Sequence, residues 1–321
     1  MKICRIAFAA LALALAPWPA LAQSFPTKPI TIVVAYPPGG VTDVLSRILA
    51  QKLTEQMGKQ VIVENKPGAG GTIGTDYVAR ATPDGYTVLM MIDTNTIAPA
   101  LYAKLGSDPI KDFAPISLLA AGSHIIVAHP SFSPNNVKEL IEYAKAHPGE
   151  PYASSGNGTA QHLGGELFKM MSGVDLTHIP YKGGGQAIND VVGGQVKLGI
   201  LGLAPVLPFI KAGKLKAIAV TGDKRTSVLP DVPTVAESGL PGFATLQWFG
   251  AVVPAGTPAP VIKQLHAEFV KAVRDPAVVE RLTAVGLEVR TSAQPEDLTA
   301  FMKQDMPKWP PIVKAAGVKV D

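Results

Sequence analysis

Cysteine is almost absent from this chain of 321 residues. Cys4 is the only one, and it lies in front of an apolar run near the N-terminus. That position is wrong for a lipidated first residue of a mature protein. A chain that loses this segment has no cysteine, which excludes a disulfide, a thiol nucleophile and a cysteine-ligated metal.

Dense positive charge and paired histidines are lacking as well. The formal net charge is +4, and two of the basic residues, Lys2 and Arg5, fall in the N-terminal segment. Nucleic-acid binding calls for a basic patch or stripe, which the sequence does not show. The six histidines have no His-x-x-x-His or similar spacing. We therefore expect no nucleic-acid partner and no metal site.

Long apolar runs are confined to the N-terminus. Lys2 and Arg5 precede the run Ile6–Ala16, and Ala20-Leu21-Ala22 offers small residues for cleavage. This layout predicts a secretory signal peptide over residues 1–22, cleaved after Ala22, because its apolar core is too short to span a membrane. We therefore expect an exported, periplasmic protein.

The remaining sequence alternates strand-like and helix-like segments. Hydrophobic residues make up 47% of the chain and charged residues 17%, which is enough apolar material for a large core. The alternation predicts an α/β fold with largely parallel sheets, and the length allows roughly two domains.

The first of these units contains a glycine-rich turn. Ile30–Tyr36 is a nearly continuous β-branched run, and Val44–Gln56 has the apolar spacing of a helix. Between them lies Pro37-Pro38-Gly39-Gly40, with Thr42 and Asp43 as N-cap candidates. Free backbone N–H groups and the helix dipole favour an anion there. The stretch predicts half of a carboxylate-binding site, and a plain strand–turn–helix connection is the alternative.

Two later turns repeat this arrangement. After the strand Tyr152–Ser154, Ser155 and Thr159 would add hydroxyl donors to the free N–H groups. A Ser155 nucleophile with His162 as its base is the alternative, but the Gly-x-Ser-x-Gly elbow is missing and no acid partner is evident. The third turn begins at Lys182, which either meets a carboxylate or is solvated.

The stretch Gly68–Gly74 permits another interpretation. It follows the strand Val61–Glu64, and Asp93 lies about 20 residues further on, which sketches a dinucleotide-binding fingerprint. However, its spacing is Gly-x-Gly-x-x-x-Gly, and Asn65-Lys66-Pro67 separates the strand from the first glycine. The fingerprint needs the turn directly after the strand. We interpret the stretch as a tight turn before a helix and expect no cofactor.

In order, the motifs resemble one known family. They are Phe25-Pro26-x-Lys28-Pro29-Ile30, Pro37-Pro38-Gly39-Gly40-x-Thr42-Asp43, Glu64-Asn65-Lys66-Pro67-Gly68-Ala69-Gly70-Gly71, Asp84-Gly85-Tyr86-Thr87, Tyr152-Ala153-Ser154-Ser155-Gly156, His162-Leu163, Pro180-Tyr181-Lys182-Gly183, Ala212-Gly213-Lys214-Leu215, Leu229-Pro230-Asp231-Val232-Pro233-Thr234 and Pro254-Ala255-Gly256-Thr257-Pro258. Each is weak alone, but the series spans essentially the whole mature chain. It resembles the tripartite tricarboxylate transporter receptors, the Bug-type periplasmic binding proteins.

The resemblance implies a two-domain periplasmic-binding-protein fold of the type II-like class, with the ligand in the cleft between the domains. Two crossover strands would lie near Ser117–Gly122 and Ala244–Gly250. One domain would contain residues 23–120 and 246–321, and the other residues 121–245. Trp248 would either edge the cleft or lie buried in the hinge.

The resemblance also implies a function. The protein would be a monomeric receptor, not an enzyme, that captures a small di- or tricarboxylate or aromatic carboxylate and delivers it to membrane permease subunits. A ligand-binding input to a sensor kinase system is the alternative. An exported hydrolase is disfavoured because no set of nucleophile, base and oxyanion hole is evident.

Carried onto this sequence, the family's binding turns imply a set of ligand-contacting residues. These are Pro38, Gly39, Gly40, Val41, Thr42, Asp93, Thr94 and Asn95 in one domain, and Ser155, Gly156, Asn157, Thr159, Ala160, His162, Lys182, Gly183 and Leu201 in the other. Leu201 stands where many relatives carry an aspartate that can meet an amino group. An apolar residue cannot pair an ammonium, so this departure predicts a ligand without positive charge.

Overall fold

Strands and helices alternate through most of the computed structural model, which describes residues 25–318. The predicted signal peptide lies outside these residues. The elements, in chain order, are β1 (Ile30–Val34), α1 (Val41–Met57), β2 (Val61–Asn65), α2 (Thr72–Ala79), β3 (Thr87–Ile92), α3 (Asp93–Leu101), β4 (Phe113–Ala128), α4 (Val137–Ala146), β5 (Glu150–Ser154), α5 (Ala160–Ser172), β6 (Leu176–Pro180), α6 (Gly184–Val192), β7 (Leu198–Gly202), α7 (Leu203–Lys211), β8 (Lys216–Val220), β9 (Leu246–Pro254), α8 (Ala259–Val273), α9 (Pro276–Ala284), β10 (Leu287–Val289), α10 (Glu296–Asp305) and α11 (Trp309–Ala316).

Two groups of parallel strands form the framework. β1 lies between β2 and β3, and β5 lies between β6 and β7. We call the part around β1–β3, with β9, β10, α1–α3 and α8–α11, lobe one. The part around β5–β8, with α4–α7, is lobe two. Parallel strands are covered on both faces, which explains their nearly continuous apolar sequences.

The long strand β4 connects the two lobes. Its residues 113–123 pair with β9, and its residues 124–128 pair with β7 and β8. All of these pairings, and that of β3 with β9, are antiparallel. The α/β prediction is therefore confirmed, but the expectation of largely parallel sheets was wrong at the centre, where the crossover strands run against their neighbours and make the sheet mixed.

The two crossovers occur where they were expected. The segment Ser117–Gly122 lies inside β4, and the segment Ala244–Gly250 leads into β9 and makes up its first half. The register of β4 against β9 shifts between Pro115 and Ser117 and again between Leu118 and Ala120. Such irregularities bend a strand locally. The exact domain limits stay a prediction.

Helices cover both faces of each lobe's sheet. In lobe one, α1, α8 and α9 pack on one face, and α2 and α10 pack on the other. In lobe two, α4 and α5 lie on one face, and α6 and α7 on the other. Trp248 is 1% exposed and meets Phe301 of α10 edge-on, so it is a buried residue of the hinge region and does not edge the cleft.

The C-terminal helix α11 joins the lobes beside the cleft. Trp309 and Ile312 pack with Ile97 of α3 and Leu163 of α5 in one apolar cluster. The indole N–H of Trp309 donates to Asp305 Oδ2 at 3.0 Å. Across residues 25–318, no helix combines the length and the apolar character that a membrane span needs.

The glycine at 165 is required by a close contact inside lobe two. A methyl group added there would lie 2.5 Å from the ring of Tyr152, which is fully buried and bonded through its hydroxyl to Glu166. Alanine in a helix interior normally stabilises. Here we expect Gly165→Ala to destabilise by about 1–3 kcal/mol, because the ring cannot move without strain. Urea unfolding measures this difference. Gly164→Ala, whose nearest contact is Thr245 at 3.3 Å, should cost less, and equal costs would contradict the account.

Candidate functional site

The turn Pro37–Gly40 exposes the start of α1. The helix begins at Val41, and its N-cap is Gly40, with φ −76° and ψ 168° and no side-chain cap. The prediction that Thr42 or Asp43 caps this helix was wrong, because both residues already lie in the first helical turn. Pro38, Gly39 and Gly40 are exposed. The turn therefore presents the uncapped, electropositive end of a helix to solvent.

The side chain of Asp43 stabilises this turn through hydrogen bonds. Its buried carboxylate accepts hydrogen bonds from Gly39 N and Asn65 Nδ2, both at 3.0 Å, and from Arg47 Nε at 3.0 Å. Burial alone would raise the pKa of Asp43, but these bonds outweigh burial and lower it. Because Asn65 also donates to Tyr36 O at 3.0 Å, both ends of the turn are fixed to one charged centre.

The predicted segment Asp93–Asn95 forms the first turn of α3. Thr94 N donates to Asp93 Oδ1 at 2.8 Å, and Ile92 N donates to Asn95 Oδ1 at 2.9 Å. The hydroxyls of Thr94 and Tyr36 are hydrogen-bonded to each other, which brings α3 beside the Pro37–Gly40 turn. The segment lies in the expected place, but its own side chains already satisfy N–H groups that an anion would use.

In lobe two, two turns that are distant in sequence lie together. Gly183 N donates to Ser155 O at 3.1 Å, and Gly156 N donates to Ser154 Oγ at 3.1 Å. Lys182 is exposed beside them. Thr159 is the N-cap of α5, and its hydroxyl oxygen accepts from His162 N at 3.3 Å. That hydroxyl therefore has a structural role.

His162 lies under the turn and is not a base for Ser155. Its Nδ1 accepts from Gly158 N at 3.1 Å, and its ring stacks on His178 at 3.7 Å between centroids. His178 Nε2 is hydrogen-bonded to Ser154 Oγ at 2.6 Å. Burial lowers the pKa of His162 to about 4, and burial with the neighbouring His162 and Lys169 lowers that of His178 to about 3. Both rings are neutral supports of the backbone.

The structure places Leu201 in the core of lobe two, away from the Ser155–Gly156 and Lys182–Gly183 turns. Its side chain packs in the core between the sheet and α6, with Ile188 and Val191. The next residue, Gly202, pairs with His124, and a methyl group added at Gly202 would lie 3.8 Å from Gln161 Nε2. The residue of β7 closest to the cleft is therefore Gly202, which also offers no acid to an ammonium group.

Two polar residues beside these turns were not singled out by sequence reasoning. Gln161 is buried, and its Oε1 accepts from Ser155 N at 3.2 Å. His124 on β4 is 1% exposed, and its Nε2 lies 3.5 Å from Asp93 Oδ2. Asp93 thus lies beside His124, and Gln161 lies beside Ser155 and near Gly202, the residue that pairs with His124. Nothing in their sequence spacing shows this, because β4 and α5 bring them together.

The glycine-rich stretch after β2 serves packing. A methyl group added at Gly74 would lie 2.8 Å from Ala35 Cα and 2.7 Å from Lys66 O. Gly70 O accepts from the Tyr36 hydroxyl at 3.1 Å. These contacts agree with a tight turn that lets α2 approach β1. Among residues 25–318, no group of three or more His, Cys, Asp or Glu side chains could hold a metal ion.

Comparison with known proteins decides the family. A family model described as the tripartite tricarboxylate transporter family receptor matches residues 45–318. The chain belongs to this receptor family. BugT of Bordetella pertussis is 36% identical to it over 306 residues, which is 94% of this chain and 93% of BugT. The predicted resemblance is confirmed.

Solved structures of similar sequence share the fold. The periplasmic binding protein BugD has a TM-score of 0.82 and 42% identity, over 92% of this chain and 99% of BugD. A Rhodopseudomonas palustris protein with adipate has a TM-score of 0.86 and 33% identity, over 92% and 99%. MatC from the same organism, with bound malate, has a TM-score of 0.81 and 32% identity, over 90% and 100%. The predicted periplasmic-binding-protein fold is therefore confirmed.

The stacked histidines predict acid sensitivity. Their pKa values in the folded protein lie below the ordinary value of about 6.5, so the unfolded chain binds more protons between pH 6.5 and pH 4. The contribution of this pair to the free energy of unfolding is full above pH 6.5 and is lost as the pH drops through this window. We expect a loss of about 2–3 kcal/mol, a figure reduced for solvent screening because part of the pair meets solvent. Urea unfolding at pH 7 and pH 4 measures the loss.

Substitution of one ring tests this origin. His178→Gln keeps a hydrogen-bonding partner for Ser154 but does not titrate, so we expect roughly half of the pH dependence to disappear. His147→Gln, which removes an exposed histidine outside the stacked pair, is the matched control. An undiminished pH dependence in His178→Gln would show that the loss arises elsewhere.

Proposed function

We propose that this receptor captures a small dicarboxylate or tricarboxylate in the cleft between its lobes. The carrying observation is the exposed, uncapped N-terminus of α1, held on a rigid turn by the buried carboxylate of Asp43. Backbone N–H groups at a helix start bind carboxylates without a cationic side chain. The adipate and malate of the two Rhodopseudomonas palustris structures support this ligand class.

Lobe two supplies the opposing contacts. The Ser155–Gly156 turn and the Lys182–Gly183 turn lie side by side, so both can face one ligand group. Gln161 orients the first turn through Ser155 N and keeps its amide nitrogen near Gly202. A diacid would place one carboxylate on each lobe. The two lobes together would then select the length of the ligand.

The proposed ligand contacts follow from this placement. They are Pro38, Gly39, Gly40, Val41 and Thr42 from lobe one, and Ser155, Gly156, Asn157, Lys182 and Gly183 from lobe two. Asp93, His124 and Gln161 form the polar floor. Thr159, Ala160 and His162 support the lobe-two turn from the start of α5.

Binding is coupled to a change of hinge angle. A ligand that touches both lobes has higher affinity for the closed arrangement and shifts the population toward it. β4 and β9 cross between the lobes, so we place the hinge there and keep the domain limits at 120/121 and 245/246 as part of the proposal. No chemical step is needed for this role, and we propose that the protein is not an enzyme.

Delivery to membrane permease subunits completes the proposed role. The protein would be exported after cleavage behind Ala22, act in the periplasm and bind its ligand as a monomer. An input to a sensor kinase would use the same cleft and differ only in partner. Genes for a large and a small membrane subunit beside this one would favour transport.

Removal of one backbone donor tests the site. Proline is favoured at the first helical position, and the extended conformation of Gly40 suits a residue before proline. Val41→Pro therefore deletes the N–H of residue 41 and leaves α1 intact. A hydrogen bond to a charged group contributes about 1.5–3 kcal/mol, so we expect at least a roughly tenfold loss of affinity. Calorimetric titration with malate, adipate and citrate measures it.

Val41→Ala is the matched control, since it trims the same side chain and keeps the N–H group. It should bind within about twofold of the unsubstituted protein. Equal affinity of the proline variant and the alanine variant would remove the α1 N-terminus from the site. Absence of binding to any carboxylate in the unsubstituted protein would contradict the proposed ligand class.

A further inference from the structure

A groove lined by charged side chains lies across the hinge on the face of β4 opposite the candidate site. Successive strand residues point to opposite faces. His124 faces Asp93, whereas its neighbour Ser123 lines a shallow groove together with Lys224 and Arg290. We call this the back groove; it is lined by Ala121–Ser123, Asp223–Thr226, Leu246, Gly286, Glu288 and Arg290.

The two sides of the back groove are attached to β4 on either side of the hinge. Glu288 on β10 pairs with Ala121. Lys224 follows β8, whose last residue, Val220, pairs with Ile125. A contact between Lys224 and Glu288 therefore spans the segment Ala121–Ile125, about 13 Å of strand at 3.3–3.4 Å per residue.

Ion pairs make this contact. Lys224 Nζ lies 2.8 Å from Glu288 Oε2, and Arg290 Nη2 lies 3.7 Å from Asp223 Oδ1. Arg290 also lies 3.8 Å from Glu288 Oε2. Lys224 and Asp223 belong to lobe two, and the other two residues to lobe one. The charges alternate across the groove, so both pairs draw the lobes together on this side.

The back is also closely packed at the observed hinge angle, whereas the front keeps the Pro37–Gly40 turn exposed beside the apolar contact of α11 with both lobes. A methyl group added at Gly286 of lobe one would lie 2.7 Å from Leu203 Cδ2 of lobe two. On the other face, the Pro37–Gly40 turn is exposed. When two lobes rotate about a strand that lies between them, moving the lobes together on one face of the strand moves them apart on the opposite face.

We propose that the Lys224–Glu288 and Asp223–Arg290 ion pairs hold the cleft open in the free receptor and are stretched when a carboxylate closes it. This rests on the proposed function. The pairs are partly exposed, so each contributes modestly. A modest contribution is what this role requires, because a ligand must overcome it with its own differential affinity for the closed state.

Breaking one pair should therefore tighten binding. We expect Lys224→Gln to bind malate or adipate about two- to fivefold more tightly at low ionic strength, since the open state loses its clamp. At about 0.5 M salt the difference should shrink, because exposed charges are screened. Unchanged or weaker binding at low salt would overturn the proposal.

Lys28→Gln is a matched control. Lys28 pairs with Asp84 at 2.9 Å, and the side-chain exposures of 58% and 33% resemble the 59% and 35% of Lys224 and Glu288. Both Lys28 and Asp84 lie in lobe one, so the change in net charge is the same but no hinge is spanned. This variant should bind no more tightly than the unsubstituted protein. Equal tightening of binding in both variants would show that the effect comes from net charge alone and would overturn the proposal. If the unsubstituted protein binds no carboxylate, the proposed function itself is refuted.

Discussion

One continuous strand that serves two sheets is the constraint on which the rest of this structure depends. β4 runs for 16 residues and pairs with β9 in lobe one and with β7 and β8 in lobe two. Because the same backbone belongs to both lobes, their parallel strands end on either side of one cleft. The turns after β1 and β3 lie side by side through the hydroxyls of Tyr36 and Thr94, and we propose that they face the turn after β5 across this cleft.

We propose that the chemistry of the cleft follows from backbone groups more than from charged side chains. Asp43 and Arg47 neutralise each other beneath the first turn, and Asp93 lies beside His124 at the floor. The anion-binding potential therefore rests on the exposed start of α1, supported by turns that other side chains fix. The stacked pair His162 and His178 stabilises one of these turns. Because both rings are neutral in the folded protein, their protonation at low pH destabilises the fold.

The sequence was sufficient for the fold class and for the turns, because both depend on local features. Apolar runs predict strands buried on both faces, and the Pro-Pro-Gly-Gly stretch predicts the break after β1. The same reasoning failed at Thr42 and Asp43, where the helix begins earlier than its apolar spacing shows. It failed again at Leu201, because the face that a strand residue presents depends on tertiary pairing. His124 became visible only when β4 was placed, since no local pattern relates it to Ser155.

Amide hydrogen exchange with and without a carboxylate that binds tests the central claim most directly. The account predicts slower exchange in residues 39–42 of lobe one and in residues 155–161 of lobe two together, because a bridging ligand occupies one turn and closes the cleft over the other. Protection confined to one lobe, or centred on Gly68–Gly74, would contradict the account.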